Sequence, residues 1–403
     1  MDPQPCVLLK YGEIALKGRN RGWFESHLLR SVEHAFSGSG DEVRIRWRQG
    51  VLAVSCPALS PEELAERART VIGIRVVQPG LRVNKTPEAA ASAAVSLLRE
   101  RCERLGLQRP SFAIRARRRH KRFPMNSDKL ASFVGAQVCA DLDLPVNLNH
   151  PNVEVEVEVD RHEVFVSADK QRGQGGLPVG SSGHVVVLLS GGYDSPVAAY
   201  RAMRRGLRCE FVHFTGAPYT GPSSTYKAYA LVRELSRFQP EVSLHTVPVG
   251  NAQRALAVSG AGEAQIVAQR RLFVRAAETL AKRLGAEALV TGDSLGQVSS
   301  QTLSNMGTID NACSLPILRP LVGWDKEEIM TEAGRIGTGE ISKLPDEDCC
   351  TLILPPTVAT HTTPEQLSKI EGRVALDELV DKLLAEVQLL RPGQADPVAS
   401  CAR

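Results

Sequence analysis

At 403 residues the chain is too long for one compact core, so two or three domains are expected. Its composition is that of a soluble globular protein. No run approaches the roughly 18 apolar residues that span a bilayer, and the opening MDPQPCVLLKYGE lacks a basic segment followed by an apolar one, so a cytoplasmic protein with no membrane partner is expected.

Nine scattered cysteines without a C-x-x-C argue against a disulfide framework, a zinc knuckle or a cysteine-ligated iron–sulfur cluster, and no metal-ligand set is singled out. Charge is uneven beneath a net +4. Residues 1–181 hold 27 Lys and Arg against 21 Asp and Glu, whereas residues 182–403 hold 22 against 24. That asymmetry points to an anionic macromolecule on the first half.

Residues 6–16 begin as a strand and run into a basic loop with Lys17, Arg19 and Arg21, followed by a helix over about 22–36. RIRWRQ and VLAVS, joined at Gly50, read as two strands, and Pro61-Glu62-Glu63 opens a helix that ends near Gly73. This is a small α+β unit with an antiparallel sheet. A second unit runs from about 74 to 170. Strand IRVVQ leads to an Ala-rich helix over 87–105, stopped by Gly106. In SFAIRARRRHKR an alternating strand gives way to Arg115, Arg117, Arg118, Arg119, His120, Lys121 and Arg122. Such a cluster at a strand end suits RNA phosphates, and it also suits a solvated face. A helix over 127–142 and the strands VEVEVEVD and HEVFVSAD follow. In the first of these strands Glu154, Glu156 and Glu158 alternate with valines, marking a sheet with one wet face.

KQRGQGGLPVG (170–180) is glycine-rich and linker-like. Beyond it strands and helices alternate: VVVLL, a helix over 196–205, CEFVHF, a helix over 224–237, VSLHTVPV, a helix over 264–284, and ALVTG. Alternation of this kind predicts a doubly wound parallel sheet with ligands beyond the carboxyl ends of its strands. His213, Phe214, Gly292 and Asp293 fall at that edge. The acidic and apolar 373–390 segment reads as one closing helix.

The stretch around which the chain is organised is VVVLLSGGYDS (185–195). A short apolar run ends in Ser190, Gly191 and Gly192, a turn whose backbone can approach a ligand closely. Pro196 then suits the first position of a helix. Strand, glycine turn and helix N-terminus together make an anion site, although the Walker spacing is absent.

S-G-G-Y-D-S resembles the pyrophosphate loop of enzymes that split ATP into AMP and pyrophosphate. K-Y-G-E-I-A-L-K-G-R-N-R (10–21) resembles the opening signature of the tRNA 4-thiouridine synthetases, the ThiI family. F-x-I-R-A-R-R is similar to the THUMP domain of tRNA-modifying enzymes, with His120 where that family usually has Asp, and with a different residue set over 129–132. GDSLGQVSSQTLSN (292–305), LPILRPLVGWDKEEI (315–329) and DEDCCTLILPP (346–356) extend the resemblance over nearly the whole chain.

The resemblance implies an α/β multidomain protein. Residues 1–61 would form an N-terminal ferredoxin-like domain, 62–171 a THUMP RNA-binding domain, 172–181 a linker, 182–391 a PP-loop ATP pyrophosphatase domain and 392–403 a tail. It implies an ATP-dependent sulfurtransferase that adenylylates O4 of uridine 8 in tRNA and puts persulfide sulfur in its place. ATP and magnesium are the implied cofactors. The implied partners are tRNA and a cysteine desulfurase or other persulfide donor; a homodimer and a link to thiamine thiazole sulfur supply are compatible with it.

Residue by residue, the resemblance implies that Asp194 would face magnesium or phosphate, that Ser195 would bond phosphate oxygen, and that Lys326 would be the functional lysine of W-D-K. Leu188, Leu189, Ser190, Gly191, Gly192, His213, Phe214, Arg270, Gly292 and Gln301 would hold ATP. Singly, His213 also suits a core histidine and Asp325 a helix cap. Lys17, Arg19, Arg21, Arg115, Arg117, Arg118, Arg119 and Lys121 would meet RNA. The resemblance puts Cys349 in the place of the family's sulfur-bearing cysteine, and a cysteine persulfide suits that step because thiolates and persulfides are strong nucleophiles. Cys350 reads as its neighbour or a backup thiol, and Cys401 sits on the tail. Many family members continue into a rhodanese domain; this chain stops at Arg403, so the short form is expected. Two alternatives share the first chemistry or the partner: a PP-loop ligase joining an amine to an adenylylated base, and a non-catalytic tRNA-binding protein. A ligase needs no thiol at Cys349, and an intact SGGYDS speaks against a binding protein.

Overall fold

The computed structural model describes residues 3–37, 43–48, 50–347, 349, 353 and 355–392. The chain divides into two compact units, 1–176 and 177–403.

The first unit contains, in order, β1 (Gln4–Tyr11), α1 (Arg21–Ala35), β2 (Arg44–Arg48), β3 (Val51–Ser55), α2 (Pro61–Ala68), β4 (Ile74–Asn84), α3 (Pro87–Leu105), β5 (Phe112–Arg118), α4 (Ser127–Leu142), β6 (Val153–Val159), β7 (Glu163–Ser167) and β8 (Gln171–Arg172). They build one sheet in the order β2-β3-β1-β4-β7-β6-β5, with β8 beside β4. The strand expected as IRVVQ is much longer. Its eleven residues pair with β1 over most of their length and with β7 over Leu81–Asn84, fusing two strand sets into one sheet. Helix α3 starts on a Thr86 cap with Pro87 next, and stops at Gly106, as its punctuation requires. Helix α2 has a capping box on Ser60 and Glu63 but ends at Ala68, short of Gly73.

The wet face expected for β6 is corrected by its surroundings. The valines of this strand are buried as the alternation demands, yet the acidic face is not uniformly wet. Glu158 is only 5% exposed; it accepts from Lys10 Nζ at 2.5 Å and from Arg119 Nε at 3.0 Å. Lys170 bonds Glu154 at 3.0 Å and also Glu156, which accepts from Gln78 as well. Lys10 comes from β1, while Arg119 follows the end of β5 and Lys170 precedes β8, which the period of one strand cannot show.

The second unit contains β9 (His184–Leu188), α5 (Asp194–Met203), β10 (Arg208–Thr215), α6 (Ser223–Leu235), β11 (Leu244–Pro248), α7 (Gly250–Val258), α8 (Gln265–Leu284), β12 (Ala288–Val290), α9 (Leu303–Asp310), β13 (Ile317–Leu318), α10 (Lys326–Arg335), α11 (Gly339–Lys343), α12 (Pro364–Arg373), α13 (Leu376–Ala385) and β14 (Gln388–Leu390). Strand order is β13-β12-β9-β10-β11-β14, parallel except for β14. The chain moves outward from β9 through β10 to β11, then returns to the other side of β9 as β12. The switch point therefore lies between β9 and β12, where such sheets hold ligands.

Two details differ from expectation. The 373–390 segment is not one helix: Ala375, at φ 47°, breaks α12 from α13, and Gln388–Leu390 turns back as an antiparallel edge strand on β11. Pro196 is the third residue of α5 rather than its first, still within the turn whose N–H groups lack helical acceptors. Among the described residues no helix is long and apolar enough to cross a membrane.

Candidate active site

A cavity of about 500 Å³ opens at the carboxyl ends of β9, β10 and β12. Ser190, Asp194 and Ser195, which flank the two glycines of the turn, are part of its lining. Ser195 is 3% exposed, and its Oγ accepts from Ser190 N at 2.8 Å while lying 3.1 Å from Ser190 Oγ. The hydroxyl expected to meet phosphate thus also fixes the shape of the turn. Gly292 follows β12 where this strand end abuts helix α5: a Cβ there would sit 2.6 Å from Ser195 N. Only glycine lets the two edges of the switch point close up this far.

The expected nucleotide residues gather here from separate elements. Leu188, Leu189, His213, Phe214, Arg270, Gly292 and Gln301 all line this cavity. Gly191 and Gly192 belong to the turn but not to the lining. His213 is 4% exposed, with Nδ1 2.9 Å from the Leu189 carbonyl, so it braces β9 against β10. Phe214 stacks on Phe273 with centroids 4.4 Å apart and planes 10° from parallel, so the two rings of the lining pack as one aromatic surface.

Asp293, at the same edge, organises the polar side. It is 3% exposed and accepts from Arg270, from Thr291 Oγ1 at 2.8 Å, from Arg319 Nε at 3.1 Å and from Gln301 Nε2 at 3.3 Å. Burial pushes its carboxyl pKa up, but the Arg270 charge, the Thr291 hydroxyl and the Arg319 charge outweigh this and hold it below the usual carboxylate value. Arg270 and Gln301 are oriented by this carboxylate. The strand reading places Asp293 at the right edge without seeing that role, because its partners come from α8, the 294–301 loop and the segment after β13.

Asp194 stands at the cavity rim at the first position of α5. Its Oδ1 accepts from Lys326 Nζ at 2.9 Å and its Oδ2 from Gln297 Nε2 at 3.1 Å. Asp325 caps α10 through Glu328 N at 2.9 Å, in a reciprocal capping box, and so aims Lys326 at Asp194. The W-D-K segment thus divides its labour: Asp325 caps and Lys326 reaches the turn.

Cys349 lines the same cavity at 4% exposure, and its carbonyl accepts from the fully buried Gln253 Nε2 at 2.9 Å. Cys350 and Cys401 lie outside the described residues. Cys6 and Cys56 are buried, and Cys102 and Cys139 are partly so.

The eight expected RNA contacts lie in the first unit and differ in availability. Arg117 and Lys121 are exposed, as is Arg19. Arg115 bonds Glu154 at 3.1 Å, Arg119 bonds Glu158, and Arg21 bonds Glu25 at 2.7 Å and Tyr11. Lys17 sits over the Phe24 ring at 5.0 Å, and Arg118 is half-buried. Positive charge is dense nearby. Partial desolvation and the charges of Lys85, Arg122 and Arg161 keep the His120 pKa below its ordinary value.

Comparison with known proteins gives a consistent picture. Residues 180–376 match the family described as thiamine biosynthesis protein (ThiI), residues 6–77 the ThiI ferredoxin-like domain and residues 85–169 the THUMP domain. The chain is 61% identical to a probable tRNA sulfurtransferase of Nocardia farcinica over 390 residues, 96% of this chain and 94% of that protein. A probable tRNA sulfurtransferase of Thermus thermophilus is 40% identical over 392 residues, again 96% and 94% of the two chains. A crystal structure of a 4-thiouridine synthetase–RNA complex with bound ATP superposes with a TM-score of 0.88 at 31% identity, covering 96% of this chain and all of that one.

Proposed function

Because the chain belongs to the ThiI family of tRNA sulfurtransferases, we propose that it activates uridine 8 of tRNA with ATP and replaces O4 by sulfur, giving 4-thiouridine. The observation that carries this reading is one cavity holding an anion turn, a rim carboxylate and a thiol: Ser190–Ser195, Asp194 and Cys349.

In the first step uridine O4 attacks the α-phosphorus of ATP, the bond to the bridging oxygen of pyrophosphate breaks, and the N3 proton leaves to solvent. O4, a poor leaving group, has become part of AMP. The N–H groups of the glycine turn and the α5 N-terminus stabilise the departing pyrophosphate. Leu188, Leu189 and Phe214 provide apolar contact for adenosine, while Arg270 and Gln301, held by Asp293, offer polar contacts. Magnesium keeps most of its water and takes one or two protein carboxylates beside substrate phosphates, so the single carboxylate of Asp194 fits it. When bound, it would neutralise charge developing on the phosphates. Lys326, paired with Asp194, would offer its ammonium group to those phosphates.

In the second step the terminal sulfur of a Cys349 persulfide attacks C4, the C4–O bond breaks, and AMP leaves with the electron pair. A low-molecular-weight thiol then attacks the Cys349 sulfur of the S–S bond, releasing 4-thiouridine as the leaving thiolate and forming a mixed disulfide on Cys349 that a second molecule of that thiol reduces. A cysteine desulfurase or another persulfide donor supplies the sulfane sulfur. Arg117, Arg118 and Lys121 at the end of β5 face the tRNA backbone, and Lys17 and Arg19, after β1, add further basic groups of the same unit.

Nucleoside mass spectrometry tests the reaction on tRNA incubated with the protein, ATP, magnesium, a desulfurase and cysteine. 4-Thiouridine should form only with the complete mixture; its absence would overturn the assignment. Cys349→Ser should lose thiolation yet keep RNA-dependent pyrophosphate release. Full thiolation by this variant would remove Cys349 from the sulfur step.

A further inference from the structure

Cys349 is buried, yet its proposed chemistry needs both a sulfur donor and an activated base. The contacts that hold its segment in place involve residues outside the cavity lining. Lys227 on α6 is 7% exposed; its Nζ donates to the Leu344 carbonyl and lies 3.4 Å from Asp346 Oδ1. The other Asp346 oxygen packs on the glycine turn, where a Cβ on Gly191 would collide with it and come within 3.2 Å of Lys227 Cδ. One residue on, Glu347 Oε2 accepts from Gly221 N at 2.5 Å, and Glu347 N donates to Ser223 Oγ at 3.3 Å. Gln253 completes the set at the Cys349 carbonyl.

A carboxylate therefore rests against the turn that is built for anions, and its charge is balanced by a buried ammonium. These two facts conflict once the turn is filled. An anion at Gly191 repels Asp346 and attracts Lys227, so it weakens the pair from both sides. We propose that Lys227 is a positioning residue that, through Asp346, couples occupancy of the glycine turn to release of Cys349 from its buried position. Lys227 exchanges Asp346 for phosphate, the contacts at Leu344 and Asp346 loosen, and the Cys349 thiol becomes accessible only while pyrophosphate or a nucleotide polyphosphate is bound. The role assigned to this accessibility rests on the reading of Cys349 as the sulfur carrier; the coupling itself does not.

The test is alkylation of Cys349 by iodoacetamide in the full-length protein, read by peptide mass spectrometry with and without millimolar pyrophosphate and magnesium. Pyrophosphate fills the turn alone and leaves the adenosine part of the cavity open, so it does not shield the thiol. Wild type should react about tenfold faster with pyrophosphate, as expected of a local opening. Lys227→Met should react fast under both conditions, and Lys227→Arg should restore the dependence in part. Asp346→Asn, a milder change at a residue near the turn, should also react fast without pyrophosphate and carries the test if Lys227→Met does not fold. Equal wild-type rates with and without pyrophosphate, or an unchanged pyrophosphate effect in the variants, would overturn the coupling. Separately, wild type should release one pyrophosphate per 4-thiouridine formed, and Lys227→Met should release an excess; a preserved ratio overturns the positioning role. Thiolation by Cys349→Ser would instead sink the sulfur reading, while the alkylation result would still stand.

Discussion

The two units put their charges to opposite uses. In the first, carboxylates lie along one strand, and cations from β1 and from the ends of neighbouring strands reach across to them, so that charge is spread as a ladder over a sheet face: Lys10, Arg119 and Lys170 on Glu154, Glu156 and Glu158. In the second, charge is gathered at a point. Parallel strands all end on one edge, and Asp194, Asp293, Arg270, Arg319 and Lys326 meet there around an opening. A ladder stabilises and presents a broad surface, which suits a large polyanion; a convergent edge polarises one small volume, which suits a phosphate and a reacting bond. The net charge of either half says little about this. What separates them is strand direction.

The largest expected effect tests the convergent edge. Asp194→Ala should lower RNA-dependent pyrophosphate release by roughly two to three orders of magnitude, the scale seen when one preorganised electrostatic group is removed. tRNA affinity should stay near wild type in a filter-binding assay, since the basic strand end lies in the other unit. Wild-type pyrophosphate release would end the assignment of Asp194, and a parallel loss of tRNA binding would show that the two charge arrangements are not separable.

A smaller effect belongs to the spread surface. Arg117, Lys121 and Arg122 are exposed, whereas Arg119 is committed to the buried Glu158. Replacing the exposed three by alanine should weaken tRNA binding and lower the slope of log affinity against log salt by about 0.9 for each phosphate no longer neutralised. Arg119→Ala should act differently, destabilising the sheet while leaving the salt slope nearly unchanged. A slope that is unaltered in the triple variant would make the run a solvated face.

Most of the architecture was legible because local signals agreed with the global fold. The extent of α3 and its Gly106 stop are legible in the sequence, and so is the strand–turn–helix that begins at 185, although its helix starts two residues before Pro196. The cavity wall residues were legible too, since the alternation of strands and helices already assigns His213, Phe214 and Gly292 to one edge. Long-range partners were not. Nothing near Asp293 in the sequence announces Arg270 or Arg319, nothing in β6 announces Lys10, and Lys227 reads as one more helical lysine. Helix α7, which carries Gln253, follows β11 after a single residue and has no capping side chain to mark its start. The break at Ala375 is equally silent, because a left-handed alanine has no sequence signature.

The smallest effect examines the ladder through pH. Burial raises the Glu156 pKa, but hydrogen bonds from Lys170 and Gln78 and the charges of Lys10 and Lys170 outweigh it, leaving the group below its ordinary 4.5. Glu154 moves the same way, chiefly through its bond from Lys170. A carboxyl whose folded pKa is depressed binds its proton more readily in the unfolded chain. Its stabilisation is therefore complete above about pH 4.5 and is lost as the pH falls through the lower folded value. Hydrogen exchange in segment 153–167 should then be insensitive to this linkage at neutral pH and lose protection steadily in acid, after correction for intrinsic rates. Glu156→Gln should cost about 1 kcal/mol of that protection at pH 7, given the partial exposure of its partners, and should flatten the acid decline. An acid decline as steep in the variant as in wild type would mean that the cross-strand pairs hold no proton linkage, and that the first unit owes its stability to the buried valines of β6 rather than to the charges opposite them.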